Sequence, residues 1–138
     1  MFKQRLCLIA VSAISLIWGL IIYIFMRSDT YIHDFLKLFF DISYHFQQNS
    51  VVTQFLKYYF VDFLWGLALP CALLSVSVDI KKKNIIAISI LSFCLGVLFE
   101  TAQLLSIVNG TFDFCDIGMY TAASLCFAVI SIKNIKKE

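Results

Sequence analysis

The stretch IIAISILSFCLGVLFETAQLLSIV, residues 85–108, decides the fold. It is long enough to cross a bilayer as a helix and carries one charged residue, Glu100, with the amide Gln103 one helical turn further on. A carboxylate at the centre of a spanning helix costs about 2.5 to 3.5 kcal/mol on insertion scales, so it normally faces a bundle interior or a watered cavity. Working outward, Lys81-Lys82-Lys83 precede the stretch, and Asn109-Gly110-Thr111 separates it from a second apolar run over 114–132. So short a turn makes the two an antiparallel pair.

Two more apolar runs lie upstream. Residues 6–26 follow Lys3 and Arg5. This run exceeds a signal-peptide core and has no convincing small-residue cleavage site, so it reads as an uncleaved first helix. Residues 58–78 hold Asp62 near their start and Pro70 inside. The whole chain of 138 residues is 61% hydrophobic and 14% charged, against about 25% charged for a soluble domain. The expectation is an all-α membrane protein: a four-helix transmembrane bundle forming a single transmembrane domain over 1–138. A net charge of +2 is too small to suggest nucleic-acid binding, and no nucleic-acid partner is expected.

Orientation follows from the basic residues. With four spans and cytoplasmic termini, Lys3, Arg5, Lys81, Lys82, Lys83, Lys133, Lys136 and Lys137 fall inside, while Arg27, Lys37 and Lys57 fall outside. Residues 30–49 are long enough to be a fifth span. Their polar residues Asp34, Lys37, Asp41, His45 and Gln48 recur at helical spacing and form one stripe. Making this segment span would put the lysine triplet and the tail outside, so it is expected as an interfacial amphipathic helix between the first and second spans.

This topology gathers Asp62, Glu100, Gln103, Asp113 and Asp116 toward the external face, with Trp65 on the face of Asp62. Gly96, Glu100 and Gln103 share one helical face, as do Asp62, Trp65 and Gly66, while Asp116 shares one with Tyr120 and Ala123. With the third helix running to Val108, Glu100 lies on the order of 10 Å below its outer end and needs a partner. Gln103 is one, and Arg27 and Lys57 are the candidate cations. The expected site is an acidic binding pocket of Asp62, Trp65, Glu100, Gln103, Asp113 and Asp116. Asp113 also suits an N-cap, and Asp116 the first turn of a helix. Carboxylates suit magnesium or calcium, but the spacing matches no metal loop, so no metal or other cofactor is assigned. His33 and His45 lack a ligand spacing. Cys7, Cys71, Cys94, Cys115 and Cys126 form no Cys-x-x-Cys pair and read as small apolar packers.

The order Glu100-x-x-Gln103, a short loop, then Asp113-x-x-Asp116 entering the last helix resembles the VanZ-like family of small bacterial membrane proteins, named for an accessory determinant of teicoplanin resistance. The likeness covers residues 60–132 and includes Asp62 in Val61-Asp62-Phe63-Leu64-Trp65. Where family members often carry a loop arginine, this chain has Asn109-Gly110-Thr111. The resemblance implies a cell-envelope role, with Asp62, Glu100, Gln103, Asp113 and Asp116 as its shared residues, and implies no catalytic mechanism.

Three function classes are compatible with these residues. The first is binding of an amphiphile, such as a lipid, an envelope precursor or a lipophilic glycopeptide antibiotic. The second is an intramembrane enzyme acting on a lipid-linked substrate, with Glu100 or Asp116 as acid or base. The third is a small proton or cation transport subunit, which requires a homo-oligomer or inverted repeats, and no repeat occurs at this length. A homo-oligomer or a membrane protein partner is compatible with any of the three. Amphiphile binding in the cell membrane is the leading expectation.

Overall fold

The computed structural model describes residues 2–26 and 50–135. They form four helices: α1 (Phe2–Met26), α2 (Val51–Val76), α3 (Lys82–Leu104) and α4 (Phe114–Ile135), and no strand occurs among the described residues. Each helix is long and apolar enough to cross a membrane. Arg27, His33, His45 and the interfacial helix expected over 30–49 lie outside the described residues.

The order of burial is inverted relative to a water-soluble bundle. In α1 the buried residues are Ser12, Ser15 and Gly19, while Ile14, Ile17, Trp18 and Ile21 face outward. Small residues let helices approach closely, so that dispersion and interhelical hydrogen bonds hold the pair. Ser12 Oγ accordingly donates to the Ala68 carbonyl across the α1–α2 interface at 2.9 Å. Ser75 and Ser89 return their hydroxyls to carbonyls of their own helices. Of the cysteines only Cys71 is buried; Cys7, Cys94, Cys115 and Cys126 are exposed, so the expectation of packing holds at one position. The other four lie on helix faces turned away from the neighbours.

α2 is the central helix and packs against α1, α3 and α4, while α1 rests chiefly on α2. The apolar core joins Cys71 and Leu74 of α2, Ile85 of α3 and Phe127 of α4, with Leu8 and Val11 of α1 against it. Pro70 sits buried inside α2 without ending the helix. At this end Arg5 Nη2 donates to the Ser77 and Val78 carbonyls, each at 2.9 Å. A cation there satisfies helix-terminal carbonyls and faces the negative end of the α2 dipole. Asn84 Nδ2 donates to the Asp79 carbonyl at 2.8 Å and tightens the turn into α3.

Several helix ends differ from the hydropathy pattern by two to seven residues, and the two largest differences bearing on the site have local causes. α2 starts at Val51 rather than Tyr58, because Ser50 caps it: Thr53 N–H donates to Ser50 Oγ at 3.2 Å. Thr53, Gln54 and Lys57 dilute the apolar signal over this turn but cost little in a helix. α3 stops at Leu104 rather than continuing to Val108. Ser106 adopts a left-handed φ of 57°, Ser106 N–H bonds to the Gln103 carbonyl and Ile107 N–H to the Ala102 carbonyl, both at 2.9 Å. This paired closure is a Schellman motif, and the apolar residues 104–108 conceal it from a hydropathy reading.

Candidate functional site

At the end of the bundle opposite Arg5, the four helices part around a cleft of about 700 Å³. The cause is a set of glycines facing large aromatic side chains. The Tyr120 ring of α4 is wedged between α2 and α3: a Cβ on Gly96 would lie 2.6 Å from Tyr120 Cγ, and one on Gly66 3.1 Å from Cδ1. Tyr120 therefore holds the two helices apart at its own width. Its hydroxyl donates to Asp62 Oδ1 at 3.3 Å, a long bond that orients both side chains toward the cleft. Trp65 lies across Gly19 of α1, and its ring centroid is 5.9 Å from that of Tyr23.

Glu100 is 2% exposed, yet it sits only four residues before the end of α3, about 6 Å along the helix axis. The expected depth of about 10 Å is thus corrected. Burial comes from the connection 105–113, which folds back over the helix end. Asp113 N–H donates to Glu100 Oε2 at 3.3 Å, and Gly110, with φ of 153°, lies against the Gln103 side chain. A Cβ at Gly110 would come within 2.8 Å of Gln103 Oε1 and strain a backbone conformation that L-residues avoid.

Five of the six residues expected at the site line the cleft: Asp62, Trp65, Glu100, Gln103 and Asp116. Lys57, one of the two candidate cations, lines it as well. Asp113 does not. Its carboxylate accepts from Cys115 N–H at 2.8 Å and caps α4, so the side chain serves the helix end while its backbone N–H reaches Glu100. The carboxylates in the cleft form no group able to hold a metal ion among the described residues.

Further lining comes from Tyr23, Tyr58, Phe99, Asn109, Gly110, Thr111 and Tyr120, which the charge pattern did not single out. Lys57 and Tyr58 belong to a π-helical turn, Leu56–Phe60, that interrupts α2. An i→i+5 turn accommodates one extra residue, and such turns recur at functional sites. Lys57 Nζ lies 5.1 Å from the centroid of the Tyr58 ring, at the edge of the cleft. The glycine spacing was visible in the sequence: Gly66 lies four residues after Asp62, and Gly96 four before Glu100. Only the pairing of helices shows that both face Tyr120.

Fold and site together define a small bundle of four apolar helices with an acidic, aromatic-walled cleft at one end. No family model, curated protein or solved structure matches the chain.

Proposed function

We propose that the protein is a multi-pass membrane protein of the bacterial cell envelope, VanZ-like in character, that binds an amphiphile in its cleft. The carrying observation is the cleft itself: about 700 Å³, within the range of small-ligand sites, with carboxylates and aromatic rings on one wall system. The inverted burial of α1, small residues inward and isoleucines outward, supports a bilayer as surroundings. The basic residues at the Arg5 end support cytoplasmic termini, which turns the cleft outward.

The likeness to the VanZ-like family rests on Asp62, Glu100, Gln103, Asp113 and Asp116, and all of these but Asp113 line the cleft. An amphiphile suits the site because polar and apolar walls adjoin. Its polar end meets Glu100 and Asp116, and its chain leaves past Tyr58, Trp65 and Phe99, each 40% or more exposed, into lipid. Candidate ligands are a membrane lipid, an envelope precursor or a lipophilic glycopeptide antibiotic.

The test is native mass spectrometry of protein purified in mild detergent, comparing wild type with Glu100→Gln. The glutamine keeps an acceptor for Asp113 N–H, so the variant is expected to fold with little change in melting temperature and to lose the amphiphile that wild type carries. A variant that retains the amphiphile, or a wild type that carries none, overturns the proposal.

A further inference from the structure

We propose that an ordered water molecule is bound in the layer just beneath the Tyr120 ring, joining α2, α3 and α4 through the Gly66 carbonyl and the hydroxyls of Ser92 and Ser124. None of these three residues lines the cleft, so the site does not depend on the cleft's ligand. Ser92 carries the inference: the residue is 5% exposed, and its hydroxyl has no hydrogen-bond partner among the described residues. Other hydroxyls of the bundle behave differently. Ser75, Ser89, Thr101 and Thr121 each donate to a carbonyl three or four residues back in their own helix, at 2.7 or 2.8 Å. A buried hydroxyl left unpaired is costly, and native structures pair such groups with protein or with ordered water.

A second group in the same layer lacks its usual partner for a covalent reason. Pro70 has no N–H, so the carbonyl of Gly66, one turn earlier in α2, is without the donor that a helix supplies. In apolar helices such a carbonyl is met by neighbouring helices, serine hydroxyls or ordered waters. Gly66 faces α4: a Cβ there would lie 3.1 Å from Tyr120 Cδ1 and 3.2 Å from Ala123 Cβ. Its carbonyl points along α2 toward Pro70, away from the cleft.

The opposing hydroxyls reach that layer by register. Gly96 abuts Tyr120, and α3 and α4 run antiparallel. Ser92, one turn before Gly96, and Ser124, one turn after Tyr120, therefore both lie about 6 Å deeper than that contact. Ser124 is buried as well. One acceptor from α2 and one hydroxyl from each of α3 and α4 make three partners, the number that a buried water typically engages. Ser92 Oγ is beyond direct hydrogen-bonding reach of the Gly66 oxygen, and a bridging water closes a gap of that kind. The water satisfies the carbonyl that proline frees, so Pro70 stays buried inside α2 without an orphaned acceptor.

Two measurements on the full-length protein test the water. A crystal structure of the wild type, at a resolution that shows ordered waters, is expected to hold a density peak within about 3 Å of both Ser92 Oγ and the Gly66 oxygen. A layer without that peak overturns the proposal, whether Ser92 turns to the Ile88 carbonyl or stays unpaired. The second measurement is thermal unfolding in mild detergent of Ser92→Ala, Pro70→Ala and the double variant. Pro70→Ala returns an N–H to the Gly66 carbonyl and so takes that oxygen from the water. Ser92→Ala is expected to lower the melting temperature of the otherwise wild-type chain, and to lower it by less than half as much in the Pro70→Ala background, because both changes act on one water. A melting temperature that Ser92→Ala leaves unchanged or raises means that the hydroxyl has no partner to lose. A drop more than half as large in the Pro70→Ala background means that Ser92 serves α3 alone. Either result overturns the proposal.

Discussion

The two ends of the bundle use the same helices for opposite purposes. Where α2 turns into α3, Leu74, Ile85 and Phe127 are at most 2% exposed, and Arg5 Nη2 donates to the Ser77 and Val78 carbonyls just past the end of α2. At the other end Gly66 and Gly96 face Tyr120, the rings stand between helices, and a cleft stays open with Glu100 against its wall. The difference is one of side-chain size at facing positions. Interdigitated apolar side chains close an interface to native density. A glycine opposite an aromatic ring fixes the spacing without filling the space beyond it. In the first region a charged side chain serves a helix terminus, whereas in the second Asp62, Glu100 and Asp116 line an open cleft.

The comparison breaks if the two ends are not separable. The largest expected effect is at the filled end: Phe127→Ala should lower stability by about 3 kcal/mol, measured by thermal unfolding in detergent, while the purified protein keeps its bound amphiphile. Loss of the amphiphile there would mean that the cleft depends on the remote core. Next comes the cleft end, where Gly96→Val places a side chain against the Tyr120 ring, which Gly66 prevents from retreating. The expected cost is about 2 kcal/mol, together with loss of the amphiphile, and normal binding by a stable variant would show that Tyr120 does not set the cleft. The smallest effect sharpens the role of the connection. Ser106→Gly relieves a left-handed conformation worth about 1 kcal/mol, partly offset by the greater freedom of the unfolded glycine. A small rise in melting temperature with unchanged binding is expected, and a fall would show that the Ser106 side chain contributes more than its backbone strain costs.

Much of this arrangement was legible before any coordinates. The four apolar helices follow from composition, since each is a long, nearly uninterrupted apolar run. Asp62, Trp65, Glu100, Gln103 and Asp116 were legible as a set because polar groups are conspicuous in such runs. Asp113 illustrates an ambiguity that sequence alone leaves open: its spacing from Asp116 suits a pocket, and its position suits a cap. The carboxylate takes the cap, accepting from Cys115 N–H at 2.8 Å.

Tyr120 was hidden for a different reason. An aromatic residue in an apolar helix carries no signal of its own, and its role depends on two glycines from different helices. The extent of α3 was likewise misleading, because Leu104, Leu105, Ile107 and Val108 read as more membrane helix. Hydropathy sums side chains and is blind to a single left-handed residue such as Ser106 that ends the helix through backbone hydrogen bonds.

By itself, then, the sequence determined the number of apolar helices and the chemistry gathered among them, because transfer out of water depends on residue type and run length alone. Tertiary structure decided that Glu100 is buried by a returning connection rather than by depth, that Asp113 caps while Asp62 and Asp116 line, and that a volume remains between them. Those outcomes depend on which faces meet and how closely, and closeness is set by pairs of residues from different elements, Gly66 and Gly96 with Tyr120 and Gln103 with Gly110.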